Sequence, residues 1–166
     1  MNIAVYGFMG VGKTTVGKLL ADRLGYGFVD MDDEIEKKEA LTISDIFRVH
    51  GEPRFRQLET ELVVELSHRD GLVIACGGGV VADPVNADLL KSSSRMIYLT
   101  ATVDEIIRRT RVDNSRPLLD VESPVEKATR LYEMRKPVYM KYAEVIVDTT
   151  GKTPNEAVEI VLEELR

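Results

Sequence analysis

A chain of 166 residues is long enough to bury about 70% of the surface its unfolded form exposes, which suits one self-sufficient domain over residues 1–166. Its 22 Lys and Arg against 28 Asp and Glu leave a net charge of −6, which argues against nucleic acid or membrane as a partner and requires any anionic ligand to meet locally clustered arginines. A hydrophobic share of 44%, a charged share of 30%, and 12 Gly with 6 Pro exclude disordered, collagen-like and low-complexity classes.

Short apolar runs alternate with amphipathic stretches, the pattern of βαβ units around a mainly parallel sheet of five strands. The start, Met1-Asn2-Ile3-Ala4-Val5-Tyr6-Gly7, carries no basic leader, and no apolar run reaches the about 18 residues of a membrane span. A cytoplasmic protein, neither exported nor inserted, is expected. The first strand is predicted over residues 3–6 and runs into Gly7-Phe8-Met9-Gly10-Val11-Gly12-Lys13-Thr14, the G-x-x-x-x-G-K-[ST] spacing of a phosphate-binding loop. Its glycines let main-chain N–H groups and a helix start close around a polyphosphate. Lys13 would reach the β- and γ-phosphates and the Thr14 hydroxyl would ligate Mg2+. Val16, Leu19, Leu20 and Leu24 then line one face of a first helix. Switches, motors and kinases share this loop, and the N-K-x-D string by which a GTPase reads its base is absent.

The second strand, over 27–30, ends in Asp30-Met31-Asp32-Asp33, at the carboxyl edge where open α/β sheets place ligand groups. On an extended segment Asp30 and Asp32 would project to one side, one toward Mg2+ through water and the other toward a substrate hydroxyl. The alternative is a pair of solvated acids favoured by a helix dipole. Gly51-Glu52-Pro53-Arg54-Phe55-Arg56-Gln57-Leu58-Glu59 sets Arg56 and Glu59 three apart on a helical face. So oriented, the guanidinium presents a rigid fork suited to a ligand carboxylate. A third strand over 72–76 meets Gly77-Gly78-Gly79, read equally as a site of close ligand approach or as a strain-free turn. Cys76 is the single cysteine, so no intramolecular disulfide or multi-cysteine zinc site forms, and an inert buried thiol in a reducing compartment is expected.

After a fourth strand over 96–99, Thr102-Val103-Asp104-Glu105 fits a capping box, as do Ser123-Pro124-Val125-Glu126 and Thr153-Pro154-Asn155-Glu156; Asp83-Pro84 looks similar. Arg108 and Arg111 are assigned to a solvated helix face. Residues 111–122 interrupt the helical pattern as a lid would, and Arg116, before Pro117, is placed to swing over phosphates. Arg135 adjoins Lys136-Pro137, where proline should kink or end the helix. A fifth strand over 145–148 and a helix lined by Val158, Val161, Leu162 and Leu165 complete the chain. His50 and His68 receive no role.

In family order these strings resemble the shikimate kinase family. They are G-x-x-x-x-G-K-T-T from Gly7, Asp30-x-Asp32, Gly51-Glu52-x-x-Phe55-Arg56-x-x-Glu59, the triple glycine, Arg116-Pro117-Leu118-Leu119 and Arg135-x-Pro137-x-Tyr139, across residues 7–139. The resemblance implies a three-layer α/β P-loop kinase fold with a five-stranded parallel sheet flanked by helices, an acceptor-binding region at about 33–66 and a lid at about 111–122. It implies transfer of the γ-phosphoryl group of Mg-ATP to the 3-hydroxyl of shikimate, in aromatic amino-acid and chorismate biosynthesis. By position, Gly10, Val11, Gly12, Lys13, Thr14 and Thr15 would hold the ATP phosphates, Arg109 would lie against the adenine, and Arg116 would close from the lid. Thr14 would bind Mg2+, with Asp30 reaching it through water. Asp32, Arg56, Gly77, Gly78, Gly79 and Arg135 would bind shikimate, and Lys13, Asp32 and Arg116 would carry catalysis. The expected partners are small-molecule substrates alone, on a monomer. The loop over residues 149–154 departs from the family in having no arginine or glutamine to offer the adenine. The alternatives are another small-molecule kinase of this fold, acting on gluconate or a nucleoside monophosphate, and a nucleotide switch without phosphotransfer.

Overall fold

The computed structural model describes residues 1–110 and 124–166. The expected lid at 111–122, with Arg111 and Arg116, and the cap expected at Ser123 lie outside the described residues. Five strands, β1 (Asn2–Tyr6), β2 (Gly27–Asp30), β3 (Leu72–Ala75), β4 (Ser94–Thr100) and β5 (Val145–Asp148), form one parallel sheet in the order β2-β3-β1-β4-β5. Every expected strand is present. β3 stops one residue before Cys76, although the Cys76 N–H still donates to the Val5 carbonyl at 2.9 Å. β4 is longer at both ends than the apolar run that predicts it.

Among the described residues the helices are α1 (Lys13–Leu24), α2 (Met31–Glu39), α3 (Ile43–Ser67), α4 (Pro84–Ser93), α5 (Val103–Thr110), α6 (Pro124–Tyr142) and α7 (Pro154–Glu164). None is long and apolar enough to cross a membrane. All of β1 is buried, as a central parallel strand covered on both faces must be. α1 and α7 pack together on one side, tied by the Arg23–Glu159 ion pair at 2.5 Å, and α3 pairs with α4 on the other. The buried stripe of α1 is Val16, Gly17, Leu20 and Ala21, with Leu19 and Leu24 at its margin. A Cβ on Gly17 would stand 2.8 Å from the Phe28 ring, so the small residue lets α1 lie close on β2.

The helix starts explain how the loops are held. Asp83 caps α4 ahead of Pro84, and Thr153 with Glu156 closes the reciprocal box expected for α7. At α5 only half of the expected box forms. Thr102 accepts from the Glu105 N–H at 3.2 Å, while the Glu105 carboxylate turns to Arg108 and Arg109. Thr42 caps α3 through the Asp45 N–H. α1 differs from all of these: its N-cap is Gly12, at φ 93°, and no side chain takes up its first amides. α6 does not end at Pro137 but runs on to Tyr142. The carbonyl that loses its partner belongs to Glu133, an exposed residue within reach of water.

One break in a helix shapes the site. Within α3, Gly51 adopts φ 81° and ψ 165°, a conformation that costs a residue without Cβ little. The turn brings Phe47, before it, and Phe55, after it, to a ring separation of 5.0 Å.

Asn2, fully buried, fastens the end of α3 to the start of β3. Its amide donates to the carbonyls of Leu66 and Arg69 at 3.2 and 2.8 Å and accepts from the Leu72 N–H at 3.1 Å. Asn2→Ala leaves these groups unpaired, so a loss of about 2 kcal/mol is expected, read as a lower urea midpoint at unchanged slope.

Candidate functional site

The phosphate loop takes its shape from glycines at positive φ: 151° at Gly7, 81° at Gly10 and 93° at Gly12. A Cβ at Gly7 would lie 2.2 Å from the Leu99 carbonyl oxygen, so the loop is pressed against the end of β4. Gly12 then opens α1 with its amides uncapped, leaving the positive end of the helix dipole to a ligand. Lys13, 9% exposed, folds over the loop and its Nζ donates to the Gly7 carbonyl at 2.9 Å. The Thr14 hydroxyl donates to Asp30 Oδ2 at 2.6 Å.

Contrary to expectation, Asp30 and Asp32 do not share an extended segment, since Asp32 lies within α2. α2 begins at Met31 because Asp30 Oδ1 accepts from the Asp33 N–H at 3.2 Å and caps it. Asp30 therefore combines the two roles that the sequence leaves as alternatives, capping a helix with one oxygen and facing Thr14 with the other. Asp32, in the first turn of α2, still reaches the cleft beyond the loop.

That cleft is lined by Lys13, Arg56 and Arg135, by Asp32 and Glu59, by Met9, Ile43, Phe47 and Phe55, and by Gly77, Gly78 and Gly79. Three cationic against two acidic side chains make it locally positive in an acidic protein. Arg56 Nη1 meets Glu59 Oε1 at 2.7 Å, Arg56 Nη2 meets Glu52 at 3.3 Å, and the guanidinium lies 5.3 Å from the Phe55 ring centre. Arg135 arrives from α6 with its guanidinium 5.9 Å from the Phe8 ring centre. Its Nη1 is buried and finds no hydrogen-bond partner among the described residues. A buried cationic donor left open is a seat for a ligand anion.

The triple glycine does form a strain-free turn, closed by the Val80 N–H donating to the Gly77 carbonyl at 3.1 Å, and none of its residues has positive φ. What it provides is space. A Cβ at Gly77 would stand 3.0 Å from Asp32 Oδ1 and 3.1 Å from Glu59 Oε2; at Gly78, 3.1 Å from Arg135 Nη1; at Gly79, 2.2 Å from Arg56 Nη1. Every position faces a charged group, so close approach is the reason for the glycines.

On the far side of the phosphate loop a second hollow is lined by Val11, Gly12, Thr15, Val16, Arg109, Thr149, Lys152, Thr153, Pro154 and Ala157. Arg109 is fixed there. Its Nη1 donates to the Gly10 carbonyl at 3.1 Å and to Thr149 Oγ1 at 3.2 Å, its Nη2 to the Thr149 carbonyl at 3.2 Å, and its Nε to Glu105 at 2.9 Å. Thr149, with carbonyls of Val11 and Thr100 in reach of its hydroxyl, is a part of this wall that no motif announces. Phe47 and Ile43 in the cleft beyond the phosphate loop are likewise unmarked in the sequence. Arg108 is exposed and pairs with Glu105, as expected of a solvated face. Cys76 is buried, and burial pushes its thiol up to about 12, so it is inert at neutral pH.

A family model described as shikimate kinase matches residues 9–166. The shikimate kinase of Hahella chejuensis is 43% identical over 165 residues, covering 99% of this chain and 86% of that protein. Among solved structures, shikimate kinase from Acinetobacter baumannii in complex with shikimate superposes with a TM-score of 0.96 at 40% identity, covering 99% of this chain and 92% of that one. A gluconokinase from Sinorhizobium meliloti, at 17% identity and a TM-score of 0.59, covers 99% of this chain and 90% of that one and shares the fold alone.

Glu59 is 1% exposed. Burial pushes its carboxyl up to about 7 from the ordinary 4.5, outweighing the opposing pull of Arg56. The folded state thus holds the Glu59 proton more tightly than the unfolded chain. Its contribution to stability is full below about pH 4.5 and lost as pH rises toward about 7. The unfolding free energy of wild type relative to Glu59→Gln should therefore fall across that window in pH-resolved urea titrations. A flat difference would show that Glu59 ionises in the fold as it does in the unfolded chain.

Proposed function

The chain belongs to the shikimate kinase family, and from that premise we propose that its cleft seats shikimate beside ATP and directs the γ-phosphoryl group to the 3-hydroxyl of that acid. The activity is that of an ATP-dependent phosphotransferase of aromatic amino-acid biosynthesis. One observation carries the assignment of the acceptor side: Arg56 from α3 and Arg135 from α6 meet on the triple-glycine loop, next to Asp32 and Lys13.

Shikimate is a ring with one carboxylate and three hydroxyls, and each part has a chemical counterpart in the cleft. Arg56, oriented by Glu59 and Glu52, and Arg135, with its open Nη1, take the carboxylate as charged donors. Phe47, Phe55 and Ile43 cover the carbon face, and Gly77, Gly78 and Gly79 let the ring come close to the backbone. Asp32 accepts a hydrogen bond from the reacting hydroxyl. As the oxygen–phosphorus bond forms and the bond from the γ-phosphorus to the bridging oxygen of ADP breaks, Asp32 receives the hydroxyl proton.

On the donor side Gly10, Val11, Gly12, Lys13, Thr14 and Thr15 hold the phosphates, and Arg109 presents its fixed guanidinium to the adenine. Lys13 stabilises the charge of the transferring group, joined by Arg116 from a lid at about 111–122, while the acceptor is received by a region at about 33–66 of one domain. Thr14 Oγ1 and Asp30 Oδ2, 2.6 Å apart, are hard oxygen donors that fit Mg2+, Thr14 directly and Asp30 through water. When bound with the nucleotide, that ion neutralises phosphate charge. We place the enzyme in the cytoplasm as a monomer, a setting that suits its single buried thiol.

The test is ADP release from Mg-ATP with and without shikimate, with gluconate and nucleoside monophosphates in parallel. Shikimate alone should stimulate release and yield phosphoshikimate by mass. Lys13→Ala should lower turnover about a hundredfold or more with the fold intact. Absence of stimulation by shikimate removes the acceptor assignment, and near-normal turnover in Lys13→Ala removes the phosphate-loop mechanism.

A further inference from the structure

One side chain that rests against the glycine loop takes no part in the chemical step. Tyr139 stands one helical turn after Arg135 on α6, so both leave the helix on the same face. Its hydroxyl donates to the Gly78 carbonyl oxygen. Its own backbone carbonyl accepts from the Tyr6 hydroxyl at 2.6 Å. The ring is 1% exposed and packs 5.6 Å from Tyr6 and 5.4 Å from Tyr98, centre to centre. It cannot swing away from the loop without opening the core between β1, β4 and α6. Burial also holds its hydroxyl protonated, with its pKa pushed up to about 12, so it remains a donor throughout the working range.

The peptide that this hydroxyl grips lies between two glycines, where neither flanking residue has a Cβ to oppose rotation of the peptide plane. A carbonyl held by Tyr139 removes that freedom. Because the peptide is planar and trans, fixing the Gly78 carbonyl toward Tyr139 sends the Gly79 N–H the opposite way. The Gly79 N–H has no hydrogen-bond partner among the described residues. Gly79 lines the acceptor cleft, and the position of its missing Cβ is 2.2 Å from Arg56 Nη1.

We propose that Tyr139 is a positioning residue for the acceptor: by holding the Gly78 carbonyl, it keeps the Gly79 N–H turned into the cleft beside Arg56, where it donates to an oxygen of the acid. The proposal rests on the reading of this cleft as the shikimate site. Tyr139 touches no reacting atom, so its effect belongs in acceptor affinity rather than in the chemical step.

The test is steady-state kinetics of Tyr139→Phe, which keeps the buried ring and removes only the hydroxyl. The KM for shikimate should rise about tenfold, while the KM for ATP and kcat stay within about threefold of wild type. Tyr6→Phe is the structural control. It removes a buried hydroxyl bond from the same aromatic cluster without touching Gly78, so it should lower the thermal midpoint comparably and leave the KM for shikimate within about twofold. An unchanged KM for shikimate in Tyr139→Phe, or an equal rise in Tyr6→Phe, overturns the proposal while leaving the shikimate reading in place. A wild-type chain that does not turn over shikimate overturns that reading, and the proposal with it.

Discussion

Charged groups from α2, α3 and α6 share one small cleft because the three residues beneath them have no side chains. Asp32 and Glu59 close on Gly77, Arg135 on Gly78 and Arg56 on Gly79, so that a Cβ would crowd its neighbours at Gly77 and Gly78 and collide with the guanidinium at Gly79. The packing also settles the electrostatics. Two guanidiniums brought together in a partly desolvated cleft need compensation, and Glu59, 2.7 Å from Arg56, supplies a hydrogen-bond acceptor at all pH and a full countercharge above about pH 7. Glu59 and the cations hold one another in place, and the Nη1 of Arg135, without a hydrogen-bond partner among the described residues, remains for a ligand. A protein with net charge −6 thus builds a local anion site by geometry and not by bulk charge.

The same loop abuts the phosphate cradle. The Cβ position of Gly78 is 3.9 Å from both the Gly7 carbonyl oxygen and the Met9 nitrogen, so the phosphate loop and the charged cleft meet along a shared backbone contact. Gly12 leaves the first amides of α1 open while side chains cap α2, α3, α4 and α7. Among the described helix starts, the one without a side-chain cap is the one that opens from the glycine loop. Tyr6, the last residue of β1, bonds to Tyr139, and Tyr139 bonds to Gly78, which ties the floor of the acceptor site to the strand that carries the phosphate loop. Reaction by in-line displacement depends mostly on such fixed relative placement.

How much of this is legible in the sequence depends on the range of the interaction. The phosphate loop is fully legible because its spacing is a property of contiguous backbone, and the Arg56–Glu59 pair follows from helical periodicity alone. The five strands follow from apolar runs bounded by turns. Asp32 is misplaced on a strand because the string Asp30-Met31-Asp32 does not reveal that Asp30 caps a helix at Met31. The box at Thr102 forms only halfway because Glu105 has two arginines as rivals for its carboxylate, a competition that the four-residue pattern omits. The triple glycine stays ambiguous for a different reason. Its purpose lies in side chains from α2, α3 and α6, whose convergence is tertiary. Phe47 enters the cleft through the break at Gly51, and Thr149 enters the nucleotide wall through a loop with no marked residue. Tyr139 is visible as a motif letter, but its bond to Gly78 is not.

The glycine floor exists to admit Arg56, and the placement of the acid substrate depends on it. Steady-state kinetics of Gly79→Ala, with folding checked by thermal unfolding, address that claim. The added methyl should displace the guanidinium and raise the KM for shikimate about tenfold or more, with the KM for ATP within about twofold of wild type. A KM for shikimate that is unchanged, or one that moves only in step with the KM for ATP, would contradict it.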